Sequence, residues 1–86
     1  MTIEDSVRNF ILEEVNEEAS PQQLTNEHSL IENGVIDSLG IFQLVTFLED
    51  EYGIDVLDDE LVLSNFGTLQ AIADYVRAKL EASGGG

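Results

Sequence analysis

Three stretches of the chain repeat apolar residues at helical spacing. Ile3, Val7, Phe10, Ile11 and Val15 form one stripe and predict a first helix over about residues 3–17, with Thr2 as N-cap and Asp5 completing a variant capping box. Ile41, Leu44, Val45, Leu48 and Tyr52 share the core-facing side of a second helix over about residues 38–52, with Phe42 at its edge. Gly53 follows where a C-cap belongs. Leu69, Ile72, Ala73, Val76 and Leu80 predict a last helix over about residues 68–81, capped by Thr68.

The connections carry their own signals. Ser20-Pro21 closes the first helix, and Pro21 opens a brief helical turn through Leu24. Leu30, Ile31, Val35 and Ile36 give the end of this long loop apolar anchors to the core. Between the second and last helices, Asp58 or Asp59 is placed to cap a short helix carrying Leu61, with Val62 and Leu63 adding apolar surface. Residues 65–68 then form a turn in which Phe66 plugs the core. No stretch alternates long enough to predict a strand, and nothing repeats internally.

The predicted fold class is all-α: a small antiparallel helical bundle of three main helices plus one short helix, with a long first loop. The domain occupies residues 1–82, and residues 83–86 form a flexible Gly-rich tail. Between a protein that stands alone and a domain excised from a larger synthase, the immediate start at the first helix and the short tail favour the first.

At the start of the second helix, Asn33-Gly34 marks a turn and Asp37-Ser38 falls on the helix N-terminus. Unpaired backbone N–H groups and the positive end of the helix dipole favour a negatively charged substituent there, such as a phosphate joined to the Ser38 oxygen. Asp and Ser are also the ordinary N-cap residues, so the dipeptide alone favours plain capping. On the side of this helix away from the core stand Leu39, Gln43, Thr46, Phe47 and Asp50. With Phe42 at the edge, Leu39, Gln43, Thr46 and Phe47 make a candidate partner-docking surface. The alternative is that flanking loops or the short helix cover Leu39 and Phe47.

Composition narrows the chemistry. Eighty-six residues make one small domain with too little interior for a deep active site. Three basic residues against eighteen acidic ones give a net charge of −15, which disfavours nucleic acid and anionic membranes and suits partners with Lys and Arg patches. Glu4, Asp5, Glu13, Glu14, Glu17 and Glu18 read as a solvated face of the first helix, and Arg77 and Lys79 as cations complementing the C-terminal dipole of the last. The lone His28 reads as a loop residue with a local hydrogen bond, unable to form a metal site alone. The acidic run around Gly53 misses calcium-loop spacing: with Gly53 at position 6, position 1 falls on Leu48 and position 12 on Asp59. A nucleophile elbow is also missed, since Ile36 stands where Gly-x-Ser-x-Gly needs its first glycine. These readings predict no catalytic residue and no metal site. With no cysteine, thioester chemistry requires an imported sulfur. No signal sequence or spanning segment is evident, so the default location is cytoplasmic.

Gly34-x-x-Asp37-Ser38-Leu39, then Leu44-Val45-x-x-Leu48-Glu49-x-Glu51-Tyr52-Gly53-Ile54 and Leu69-x-x-Ile72-x-x-Tyr75-Val76, resembles the acyl and peptidyl carrier protein family across nearly the whole chain. The resemblance implies that Ser38 carries a 4′-phosphopantetheine arm donated by coenzyme A through a phosphopantetheinyl transferase. It further implies a thioester-bound cargo supplied by an acyl- or aminoacyl-loading ligase and passed to synthase or transferase enzymes. Asp37 then caps the helix and contributes to recognition, or binds a metal or basic group during transfer. The short third helix is implied to be mobile and to help admit the cargo, and Ile41, Leu44 and Leu48 are expected to line an acyl pocket facing the last helix if the bundle's core opens, which the sequence leaves undecided. The protein is expected to be a monomeric carrier and not an enzyme. Gly40 and Gln43 stand where the family's fatty-acid branch resembles itself in carrying acidic residues, so the chain leans toward specialised pathways, aminoacyl or peptidyl types among them. The rival of a different class is an unmodified acidic adaptor that binds a basic protein through Leu39 and Phe47.

Overall fold

The structure, a computed structural model, describes residues 2–82, excluding the side chains of Pro21 and Gln23. The expected Gly-rich tail over residues 83–86 lies outside the described residues. Helix α1 spans Ile3–Phe10 and continues as a π-helical turn over Ile11–Val15; a 3₁₀ turn covers Pro21–Leu24. Helix α2 spans Ser38–Tyr52, a second 3₁₀ turn covers Asp58–Glu60, and α3 (Leu63–Phe66) and α4 (Leu69–Ala82) complete the chain. Among the described residues there is no strand. The radius of gyration of 12.0 Å equals the roughly 12 Å expected of a folded domain of this length.

Local chemistry sets most of these boundaries. Thr2 Oγ1 accepts the Asp5 N–H at 3.1 Å to start α1, and Thr68 Oγ1 accepts the Ala71 N–H at 3.0 Å to start α4. Gly53 ends α2 in the left-handed conformation at φ 66°, donating its N–H to the Glu49 carbonyl, a geometry that burdens any residue with a Cβ. Val7 and Ile11, Leu44 and Leu48, and Leu69, Ile72 and Val76 interlock fully buried, with Leu24 and Leu30 from the long loop and Phe66 from α3. Helix α4 packs against α1 and α3, while α2 meets the π-helical turn most closely.

Several expectations change. The first helix is not regular to its end: the Asn16 N–H donates to the Ile11 carbonyl five residues back, at 2.8 Å, before the chain turns extended. Apolar periodicity does not distinguish this wider turn from an α-helical one. The short helix lies later than expected. Asp58–Glu60 is a 3₁₀ turn closed by Glu60 accepting the Leu57 N–H, and α3 begins at Leu63, inside and ahead of the segment expected to be a turn. Burial of Phe66, which does plug the core, rewards helix at that point.

The cations are also more than dipole complements. Arg77 grips the Glu4 carboxylate with two nitrogens at 2.7 and 3.1 Å, joining α4 to α1. Glu4, expected on the solvated face, is therefore buried, its side chain 12% exposed. Lys79 Nζ lies 2.7 Å from Glu60 Oε1, which also accepts the Tyr75 hydroxyl at 3.0 Å. The buried Tyr75, absent from the expected core stripe, packs against Phe66 with ring centroids 5.1 Å apart. Burial and the facing Glu60 carboxylate push its hydroxyl well above the usual tyrosine range.

Candidate functional site at the start of the second helix

The loop ahead of α2 is folded on Leu30. Its carbonyl accepts the N–H groups of Val35 at 2.8 Å and Ile36 at 3.2 Å, while its own N–H donates to the Gly67 carbonyl at 2.8 Å. Gly34 makes the turn at φ 72°, donating to the Ile31 carbonyl. Leu30, Val35 and Ile36 are buried as expected, whereas Ile31 stays exposed. Asn16 adds a strut from the end of the first helix, its Nδ2 donating to the Val35 carbonyl at 2.9 Å.

This bracing delivers Asp37 and Ser38 to the surface. Asp37 has the extended backbone of an N-cap, and its Oδ1 accepts the Gly40 N–H at 2.9 Å. Ser38, the first residue of α2, is exposed. A hydroxyl there faces solvent beside helix N–H groups that favour an anionic oxygen, so a phosphodiester on Ser38 requires neither desolvation nor displacement of core atoms.

One helical turn beyond Ser38, Ile41 lines an apolar cleft of about 280 Å³ walled otherwise by Ile31, Leu61, Val62, Leu63 and Phe66. Ile41, Leu44 and Leu48 are the residues expected to line a pocket when the core opens, and the structure shows the core closed. Only Ile41 belongs to the cleft; Leu44 and Leu48 are fully buried in the packed core. The rest of the cleft's apolar wall comes from Ile31 and from residues 61–63 and 66, beyond the end of α2.

The expected docking stripe divides. Leu39 and Phe42 are open, at 68% and 63% exposure, and Gln43 and Thr46 are exposed beside them. Phe47 is not open: its ring stacks on Phe10 with centroids 4.3 Å apart and is half-buried against the first helix. Periodicity shows which side of a helix a residue occupies, but not that a neighbouring helix reaches round to cover it. Leu57, Val62 and Leu63, outside the expected docking stripe, are exposed apolar residues as well. Their only signal was clustering in a short segment lacking helical periodicity.

A family model described as "Phosphopantetheine attachment site" matches residues 5–76. The chain belongs to the phosphopantetheine-binding carrier family. Its fold is shared with the holo acyl carrier protein NE2163 of Nitrosomonas europaea, 30% identical, with a TM-score of 0.76 over 94% of this chain and 99% of that one. It is also similar to KstB-PCP in its apo form, 31% identical, with a TM-score of 0.67 over 91% of this chain and 82% of that one. As a member of the carrier family the protein is not an enzyme, and the group proper to it is a covalent 4′-phosphopantetheine. The arm supplies the thiol that this cysteine-free chain lacks.

Proposed function

We propose that Ser38 is the attachment point of the arm and that the carrier domain is residues 1–82. The observation that carries this reading is the exposed Ser38 at the first position of α2, behind an Asp37 cap and one turn from an apolar cleft. With a phosphopantetheinyl transferase, Ser38 Oγ gives up its proton and attacks the pantetheine-side phosphorus of coenzyme A's diphosphate, the P–O bond to adenosine 3′,5′-bisphosphate breaks and that nucleotide leaves. The distal thiol of the new phosphodiester-linked arm holds an acyl or aminoacyl group as a thioester. Asp37 fixes the first turn through Gly40 and marks the site for the transferase. The cleft beside Ile41 shelters an apolar part of the cargo or arm.

Leu39, Phe42, Gln43 and Thr46 surround the serine as the docking face for the loading ligase and the downstream synthase or transferase enzymes, with Phe47 contributing from its half-buried position. The acidic surface favours Lys and Arg around the partner's contact site. Exposed Leu39 and Phe42, with Gly40 and Gln43 where acids mark the fatty-acid branch, support a carrier of a specialised pathway. The protein works as a cytoplasmic monomer. Among the described residues no helix is long and apolar enough to cross a membrane.

The test is the intact mass after incubation with coenzyme A and a broad-specificity transferase, beside Ser38→Ala. A gain of one phosphopantetheine by the parent alone is the expected result. Equal gain by Ser38→Ala would move the attachment elsewhere. No gain by either, with an active transferase control, would favour the unmodified adaptor.

A further inference from the structure

The end of the first helix meets the first turn of α2 so closely that residue 40 has no room for a side chain. Gly40 is helical, so its backbone conformation does not demand glycine. Its surroundings do: a Cβ there would lie 2.8 Å from Val15 Cγ1 and 3.3 Å from Ile36 Cβ. The two neighbours sit on separate elements, one on the π-helical turn and one on the loop that delivers the serine. Ile36 Cβ is bonded to backbone and has little freedom to move, and Val15 is a β-branched side chain with one stiff torsion. The Gly40 N–H is also the group that Asp37 holds. Beside this contact, Asn16 closes the π-helical turn with its backbone and struts Val35 with its side chain.

We infer that Gly40 is a positioning residue for the modification of Ser38: its missing side chain lets Val15 seat against the first turn of α2, and that contact, with the Asn16 strut, fixes where the serine is held. The inference rests on Ser38 being the modified residue. It also gives a physical reason for this chain's departure from an acid at that position, since any larger side chain at residue 40 must displace Val15 or Ile36. Gly40 does not touch the incoming group. It acts through the placement of Asp37 and Ser38.

The competing account is that Gly40 merely fills a helix position. In that case Gly40→Ala raises the melting temperature, because alanine is the better helix former, and leaves modification unchanged. The positioning account predicts no rise in melting temperature and faster amide exchange at residues 40 and 41, whose N–H groups bond Asp37. It also predicts a fall in kcat for phosphopantetheine transfer of about tenfold, within the roughly hundredfold that a 1 Å misplacement of a reacting group can cost.

The deciding variant is Val15→Ala/Gly40→Ala, which removes the methyl that the new Cβ meets. Recovery of exchange protection and transfer rate toward those of Val15→Ala alone is expected. A double variant no better than Gly40→Ala would overturn the inference, as would a more stable Gly40→Ala modified at the parent rate. Should Gly40→Ala fail to fold, restoration of the fold in the double variant supports the seam, and failure of both overturns it. A parent protein left unmodified by an active transferase sinks the Ser38 reading, a result distinct from loss of rate or protection in the variants.

Discussion

Asp37 shows how one side chain serves two readings. Its carboxylate accepts the Gly40 N–H, so capping is present whatever else the residue does. Asp37→Ala is expected to lose about 1 kcal/mol of stability in urea unfolding, as cap removals do, whereas Asp37→Asn keeps an acceptor oxygen and loses much less. If Asp37→Asn also slows transfer at unchanged stability, the charge contributes to recognition beyond the cap. Gly53 is the contrasting case. At φ 66° with open space around the missing Cβ, Gly53→Ala meets no clash and still costs about 1 kcal/mol through the left-handed backbone alone, again read from urea unfolding.

The elements were legible to different degrees, for reasons their residues make plain. Helix α2 was read to both ends because a cap, an apolar face and a terminal glycine all marked it. The end of the first helix was not, since Ile11 and Val15 suit a π-helical turn as well as an α-helix and the choice is made against α2. The segment from residue 58 to 66 is not legible in the sequence because its short turns carry no period. Hydrogen bonds to the side chain and carbonyl of Glu60 and burial of Phe66 define it instead. Leu44, fully buried in the closed core, gives a test at this level. Leu44→Ala is predicted to cost about 2–5 kcal/mol in denaturant unfolding, the range for large-to-small changes in a packed interior. Trimming the wall at Val62, an exposed position, should alter cargo sheltering with little loss of stability.

Across the whole molecule, eighteen acidic residues on one small domain repel one another, and three cations are set as ties. Arg8 bonds Asp5, the Leu24 carbonyl and Asn26; Arg77 holds Glu4; Lys79 holds Glu60. Added salt at neutral pH is expected to raise the melting temperature, because screening weakens the exposed repulsions more than these shorter contacts. The hydrogen bond from Arg77 holds the Glu4 carboxyl below its ordinary value of 4.5, and Lys79 does the same for Glu60. A carboxylate lowered in the folded state adds stability that is complete above its unfolded pKa and is lost as pH falls through the folded one. Arg77→Gln should therefore lower the melting temperature at neutral pH. Its deficit relative to the parent should shrink as acid protonates Glu4, in paired melts from neutral pH to below 4.5.

Helical class, the length of α2, the capping of Ser38's turn and resemblance to the carrier family were contained in the order of residues, because caps, glycines and apolar periods act through neighbours a few positions away. Folding settled what joins distant residues. It covered Phe47 with Phe10, buried Glu4 under Arg77, kept Leu44 out of the cleft and brought residues 61–63 in as its wall. It also set Val15 against Gly40, beside the exposed serine. Each of these depends on the distance between surfaces that lie far apart along the chain, a quantity fixed only when the helices pack.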